Sequence, residues 1–169
     1  MQLTSVLTTL TLLTLLSTTL GIPLTPRDVP KVTIKNHCQT TIYLTSIARE
    51  RHNNATIPAS SSYSEALYYD GITGTSLQIT TTPSGLDHGG PILNAAYTFN
   101  KPANSTYYSL STVDGRGYAF EGQLVLFYAD RDTKGVILWE PGKERSTSTR
   151  AFLGGETDLV LDVCAMRTL

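Results

Sequence analysis

The chain has 169 residues, of which 13 are basic and 14 acidic, for a formal net charge of −1 at pH 7; only 16% of it is charged. That balance excludes a basic nucleic-acid footprint and a polybasic membrane patch. Thr, Ser, Gly and Tyr are plentiful instead, which suits β structure with exposed hydroxyl faces and argues against an amphipathic helical bundle.

Residues 1–21 carry no charged side chain and contain an apolar stretch, residues 10–16, of leader length. The stretch is short and diluted by Thr, so it reads as a removed signal peptide, with Thr19 and Gly21 as the small residues of the cleavage site. A retained N-terminal anchor is the alternative. Pro23, Pro26 and Pro30 then punctuate residues 22–31, which read as an extended lead-in. No later apolar stretch reaches spanning length, so no membrane association is expected once the leader is gone.

The first strand signals are Val32-Thr33-Ile34 and Ile42-Tyr43-Leu44, in which apolar residues alternate as a half-buried strand requires. Between them stands Cys38, the first of two cysteines; the second, Cys164, closes the last apolar run, residues 159–164. An even pair in an exported chain reads as a disulfide, and a pair of unbonded buried thiols is the rival in a reducing compartment. Residues 50–54 read as a polar, turn-forming loop, and residues 60–67 as a polar edge strand. Residues 77–82 alternate and stop at Pro83. Residues 83–91 are a loop rich in Gly and Pro.

Strands resume at 95–99 and 107–113, followed by the Asp114-Gly115 turn. Residues 123–128 and 136–139 are continuous apolar runs, the pattern of strands buried on both faces, with residues 130–135 as the loop between them. Residues 149–153 and 159–163 complete the set. Many short strands parted by turn residues predict one all-β antiparallel sandwich over residues 32–164, with first and last strands adjacent, and a short tail over 165–169. Two sequons, Asn54-Ala55-Thr56 and Asn104-Ser105-Thr106, mark Asn54 and Asn104 as glycan acceptors in surface loops.

Four segments together resemble the fungal yeast-phase-specific secreted proteins, a small branch similar to the thaumatin-like fold. They are the opening strand with its Asn36-His37-Cys38, residues 32–38; the loop over residues 79–86 with Gly89-Gly90-Pro91; residues 108–115; and residues 158–164. The resemblance implies a β-sandwich, secretion and a bridge from first to last cysteine. It also implies relatives active in wall remodelling, spore germination or contact with a host. Thaumatin-like relatives carry an acidic cleft of one Arg, one Glu and three Asp, associated with β-glucan binding or weak hydrolysis. Here the Arg position falls on Thr80, the Glu position on Ala96 and the first Asp on Ser109, while Asp114 matches. The remaining Asp belongs to a cysteine-rich subdomain for which this chain lacks the cysteines.

Glycoside hydrolysis normally needs two facing carboxyl groups. The expectation is therefore a non-catalytic, secreted or wall-associated protein that engages polysaccharide such as β-glucan through outward-facing aromatics. The candidate contacts are Tyr68, Tyr69, Tyr107 and Tyr108, where one of each pair must face outward on a strand. Asp114 joins them, with a turn-forming role as its alternative. Two other readings stand beside this one: an effector or adhesin that binds a host surface protein, and a weak glucan hydrolase pairing Asp114 with Asp87 or Glu121. No metal is expected, because His37, His52 and His88 are scattered singly, although His88 beside Asp87 is the place to check. No nucleophile elbow or phosphate-cradling loop is present, so no cofactor is expected either.

Overall fold

A computed structural model describes residues 29–113, 116–132, 134–143 and 147–166. The leader, most of the lead-in, Asp114 and most of the short tail lie outside the described residues. Among those described there are eleven strands and no helix. In order they are β1 (Lys31–Asn36), β2 (Ile42–Ile47), β3 (His52–Ile57), β4 (Ser61–Ala66), β5 (Thr75–Thr80), β6 (Leu93–Asn100), β7 (Ser105–Thr112), β8 (Val125–Ala129), β9 (Ile137–Trp139), β10 (Ser148–Phe152) and β11 (Leu159–Val163).

The strands form two facing sheets, of order β4-β1-β11-β8-β9 and β10-β7-β6-β5-β2-β3. Period-2 alternation decides which residues enter the space between them. Val32 and Ile34 of β1, Leu44 of β2, Leu77 and Ile79 of β5 and Phe127 of β8 are buried there, and Tyr97 and Trp139 join them as core residues. The first and last strands are neighbours, paired in parallel from Val32 opposite Leu159 to Asn36 opposite Val163. That pairing brings Cys38 and Cys164 together just beyond the strand ends, with α-carbons 5.0 Å apart, and they form a disulfide. Closing a loop of 126 residues contributes roughly 5 kcal/mol on the chain-entropy account. Asn36 braces the same corner: its amide reaches the carbonyls of Thr40, Ile57 and Pro58, and its oxygen accepts from the Cys38 N–H at 3.0 Å.

Two expectations about elements need correction. The loop expected over residues 50–54 ends at Arg51: β3 begins at His52 and forms the edge of the six-stranded sheet. Its Asn53 and Asn54 depress strand propensity, but an edge strand with one solvent face tolerates them. The apolar runs at 123–128 and 136–139 are not buried on both faces. In β8 Leu126 and Tyr128 are half-buried, and in β9 Leu138 is 49% exposed. The strand buried throughout is β11, which lies third of five in its sheet. The polar segment 60–67 does run along an edge, as β4.

Candidate functional site: a neutral polar groove

Alternation on the six-stranded sheet sends one set of residues into the core and the other to solvent. The register places Asn54 opposite Thr45, Thr45 opposite Gln78, Gln78 opposite Asn94 and Asn94 opposite Ser111. One row of amides and hydroxyls thus crosses five strands on the outer face. Three of its members, Gln78, Asn94 and Ser111, are linked to one another through Asn94 and through Ser76 of the adjacent row. Ser76 Oγ donates to Asn94 Oδ1 at 2.7 Å, and Asn94 Nδ2 donates to Ser111 Oγ at 3.0 Å. Gln78 Nε2 donates to Ser76 Oγ at 3.3 Å.

The loop over residues 83–91 stands at the end of β5 and makes a wall beside this row. The Gly85 and Gly90 N–H groups donate to the carbonyls of Thr82 and Gly85, at 3.1 and 2.7 Å. The Arg116 guanidinium donates to the Leu86 carbonyl from outside. The backbone passes β5 so closely that a Cβ on Gly85 would lie 2.9 Å from Thr80 Cβ and 2.8 Å from Thr82 Oγ1. Glycine is required by that approach.

Between wall and strands lies a groove of about 360 Å³, lined by Tyr43, His52, Asn54, Thr56, Gln78, Thr80 and Asp87 among others. Asp87 is the one carboxylate among the described residues that line it. Amides, hydroxyls, the Tyr43 ring and the His52 imidazole, with that one carboxylate, can bond the hydroxyls of a polyhydroxy ligand. The positions where the thaumatin-like pattern expects its charged residues belong to this same face: Thr80 lines the groove, and Ala96 and Ser109 are opposite each other on β6 and β7.

A second polar region closes the seam between β4 and the β2–β3 edge. Glu65 Oε1 accepts from Ser46 Oγ at 2.6 Å and from Arg51 Nη2 at 2.9 Å, and Oε2 accepts from Tyr63 OH at 3.0 Å and Asn53 Nδ2 at 3.1 Å. The Glu65 side chain is only 6% exposed. Burial first, and then the Glu65 carboxylate, push the Tyr63 phenol above its ordinary pKa. Arg51 also donates to Tyr97 OH at 2.8 Å, and its guanidinium lies 5.0 Å from the centre of the Tyr68 ring. Beside it opens a cleft of about 680 Å³ lined by Tyr68, Tyr69, Phe99, Arg51, Lys101 and Glu156.

The expected contacts are distributed among these places. Tyr68 and Tyr69 come together in the seam cleft, with Tyr69 edge-on to Phe99 at 6.0 Å. Tyr107 is 44% exposed on the outer face of β7. Tyr108 is corrected: at 1% exposure it belongs to the core, edge-on to Phe127, with its hydroxyl donating to the Gly135 carbonyl. Asp114 lies outside the described residues. Asp87 lines the groove, whereas Glu121 lines a different cleft beside Cys38 and Cys164. His88 Nδ1 is 3.0 Å from the Ser84 carbonyl within its own loop. Among the described residues no three His, Cys, Asp or Glu side chains are placed to share a metal ion, and no helix is long and apolar enough to cross a membrane. Asn104 is exposed in a turn, but Asn54 sits in mid-strand on β3.

Sequence reasoning missed the Glu65–Arg51 seam, and it missed the amide row. The row had a local signal, the alternation Ser76-x-Gln78-x-Thr80, but its extent depends on register across five strands. A third cluster joins His37 Nε2 to Asp162 Oδ1 at 2.7 Å, with Tyr128 OH donating to Asp162 Oδ2 at 3.1 Å. Burial first, and then Asp162, push the Tyr128 phenol up to about 12.

The model of the Bys1 family, Blastomyces yeast-phase-specific protein, matches residues 21–165. The fold is similar to the crystal structure of the protein elicitor MoHrip2 from Magnaporthe oryzae, with a TM-score of 0.62 and 16% identity over 80% of this chain and 99% of that one. The thaumatin-like xylanase inhibitor TLXI aligns with a TM-score of 0.40 and 11% identity over 78% of this chain and 98% of that one. No curated protein sequence matches.

Proposed function

Since this chain belongs to the Blastomyces yeast-phase-specific protein family, we propose that it is a secreted, non-catalytic protein of the fungal surface that binds wall polysaccharide in the groove on its six-stranded sheet. The observation that carries the reading is the neutral polar face. Asn54, Thr45, Gln78, Asn94 and Ser111 stand in one row, and Tyr43 and the 83–91 loop form the walls of the groove at one end of it. Amide and hydroxyl pairs read sugar hydroxyls, and an aromatic ring covers a sugar's apolar face. The disulfide supports an oxidising, extracellular setting. A role in wall remodelling or spore germination is compatible with such binding.

Pull-down of unglycosylated protein on insoluble β-glucan and chitin tests this, with cellulose and bare beads as controls. Enrichment on glucan or chitin, lost in Gln78→Ala, is the expected result; recovery equal to the bead control overturns it. A second reading, a host protein as partner in the manner of an effector or adhesin, is favoured by the seam cleft. There Tyr69 is exposed beside Phe99, and Ile72 on the same loop is 72% exposed. Retention on a plant or animal surface extract that is lost in Ile72→Ser and kept in Gln78→Ala would select it.

A further inference from the structure

Asn54 occupies a consequential place for a glycan acceptor. A strand alternates its side chains, so the acceptor Asn54 and the sequon hydroxyl of Thr56 face the same side, and both are exposed and line the groove. Asn54 is paired with Thr45, whose other neighbour is Gln78. Adjacent strands are about 4.8 Å apart, roughly the width of one sugar ring, so a first sugar on Asn54 Nδ2 starts beside the amide row.

We infer that an N-linked glycan on Asn54 lies along the groove and governs whether it accepts an external saccharide, an inference that takes its ligand class from the reading above. Attachment joins Asn54 Nδ2 to the anomeric carbon of a lipid-linked oligosaccharide diphosphate; the diphosphate carrier leaves and the amide gives up one proton. The tethered sugar then meets the groove at an effective concentration in the millimolar range. Groove chemistry suited to a free polysaccharide suits this tethered one equally, and the tether favours it. Asn104 has no such position. It lies in a turn with φ 51°, where its carbonyl accepts the Gly155 N–H at 3.1 Å, and it does not line the groove.

The test compares full-length protein secreted by a glycosylating host with the same sequence made in an oxidising bacterial periplasm. Glycopeptide mass spectrometry must find Asn54 occupied in the secreted material; an unoccupied Asn54 overturns the inference. Modification of His52 by diethyl pyrocarbonate reads groove cover without any added ligand. His52 lies two residues from Asn54 on the same face and lines the groove, and His37, just past the end of β1 and outside the groove, is the internal control. The glycosylated form should react at His52 at least threefold more slowly than the bare form, and equal rates overturn the inference. Calorimetry with laminarihexaose and chitohexaose should give at least tenfold tighter binding to the bare form, with secreted Asn104→Gln behaving as the secreted parent. Equal affinity of both forms overturns the gating. If neither form binds while His52 is still shielded, the polysaccharide reading fails and the placement of the glycan stands.

Discussion

The seam at Glu65 and the groove at Gln78 are both polar, yet they are built for opposite ends. In the seam the four hydrogen bonds to Glu65 all come from the chain itself, from Ser46, Arg51, Asn53 and Tyr63. Such a carboxylate has little capacity left for a ligand, and its network joins the two sheets. In the groove Asn54, Thr45 and Gln78 line an open face, and Gln78 alone of the three is braced from outside it, through Ser76. A polar cluster satisfied from within stabilises a fold, and one left partly open recognises something else.

The sharpest way to break this contrast is Glu65→Ala. It leaves the largely buried Arg51 without its carboxylate, and the loss should be about 2–4 kcal/mol by denaturant melt, below the full cost for a completely buried pair because Arg51 keeps its bonds to the Ala66 carbonyl and Tyr97 OH; a loss below about 1 kcal/mol would remove the seam from its structural role. Gly85→Ala sits at the boundary of the groove. Its added methyl meets Thr80 and Thr82, so the 83–91 loop must shift, at a cost of roughly 1–3 kcal/mol. Glucan retention should fall with it, and unchanged melting and retention would contradict the close approach.

Gln78→Ala should do the reverse of Glu65→Ala. Stability stays within about 0.5 kcal/mol of the parent, while retention on glucan falls about tenfold, or 1.4 kcal/mol. A comparable loss of stability would make the row structural.

The smallest effect is in pH. Tyr63 and Tyr128 are raised above the ordinary 10.0, the latter to about 12. Between those values the unfolded chain releases these protons first, so the folded state holds more of them. The contribution is complete below pH 10 and is lost as pH rises through the folded values. Urea midpoints at pH 9, 10 and 11 should fall more for the parent than for the Tyr63→Phe, Tyr128→Phe double variant. Parallel slopes would contradict the shifts.

Much of the framework was legible residue by residue. Alternation at Val32-Thr33-Ile34 and Ile42-Tyr43-Leu44 marked half-buried strands, and the cysteine count marked a bridge between the chain's first and last strands. The site was far less legible. Tyr107 and Tyr108 are one residue apart, and alternation required one to face out without saying which; Tyr108 went inward against Phe127. Segment 50–54 looked like a loop because Asn53 and Asn54 are poor strand formers. Yet Asn53 bonds to Glu65 in the seam and Asn54 faces the groove.

What the amino-acid order determined alone is the all-β class, the approximate strand positions and the availability of one covalent tie, because each rests on a period-2 pattern or a count that operates over a few neighbouring residues. Tertiary structure decided which polar residues are used up and which remain open. Glu65 meets donors from β2, β3, β4 and the loop before β3, and the amide row takes one residue from each of five strands. Those meetings depend on sheet register and on how the two sheets face each other, and short-range pattern does not encode either.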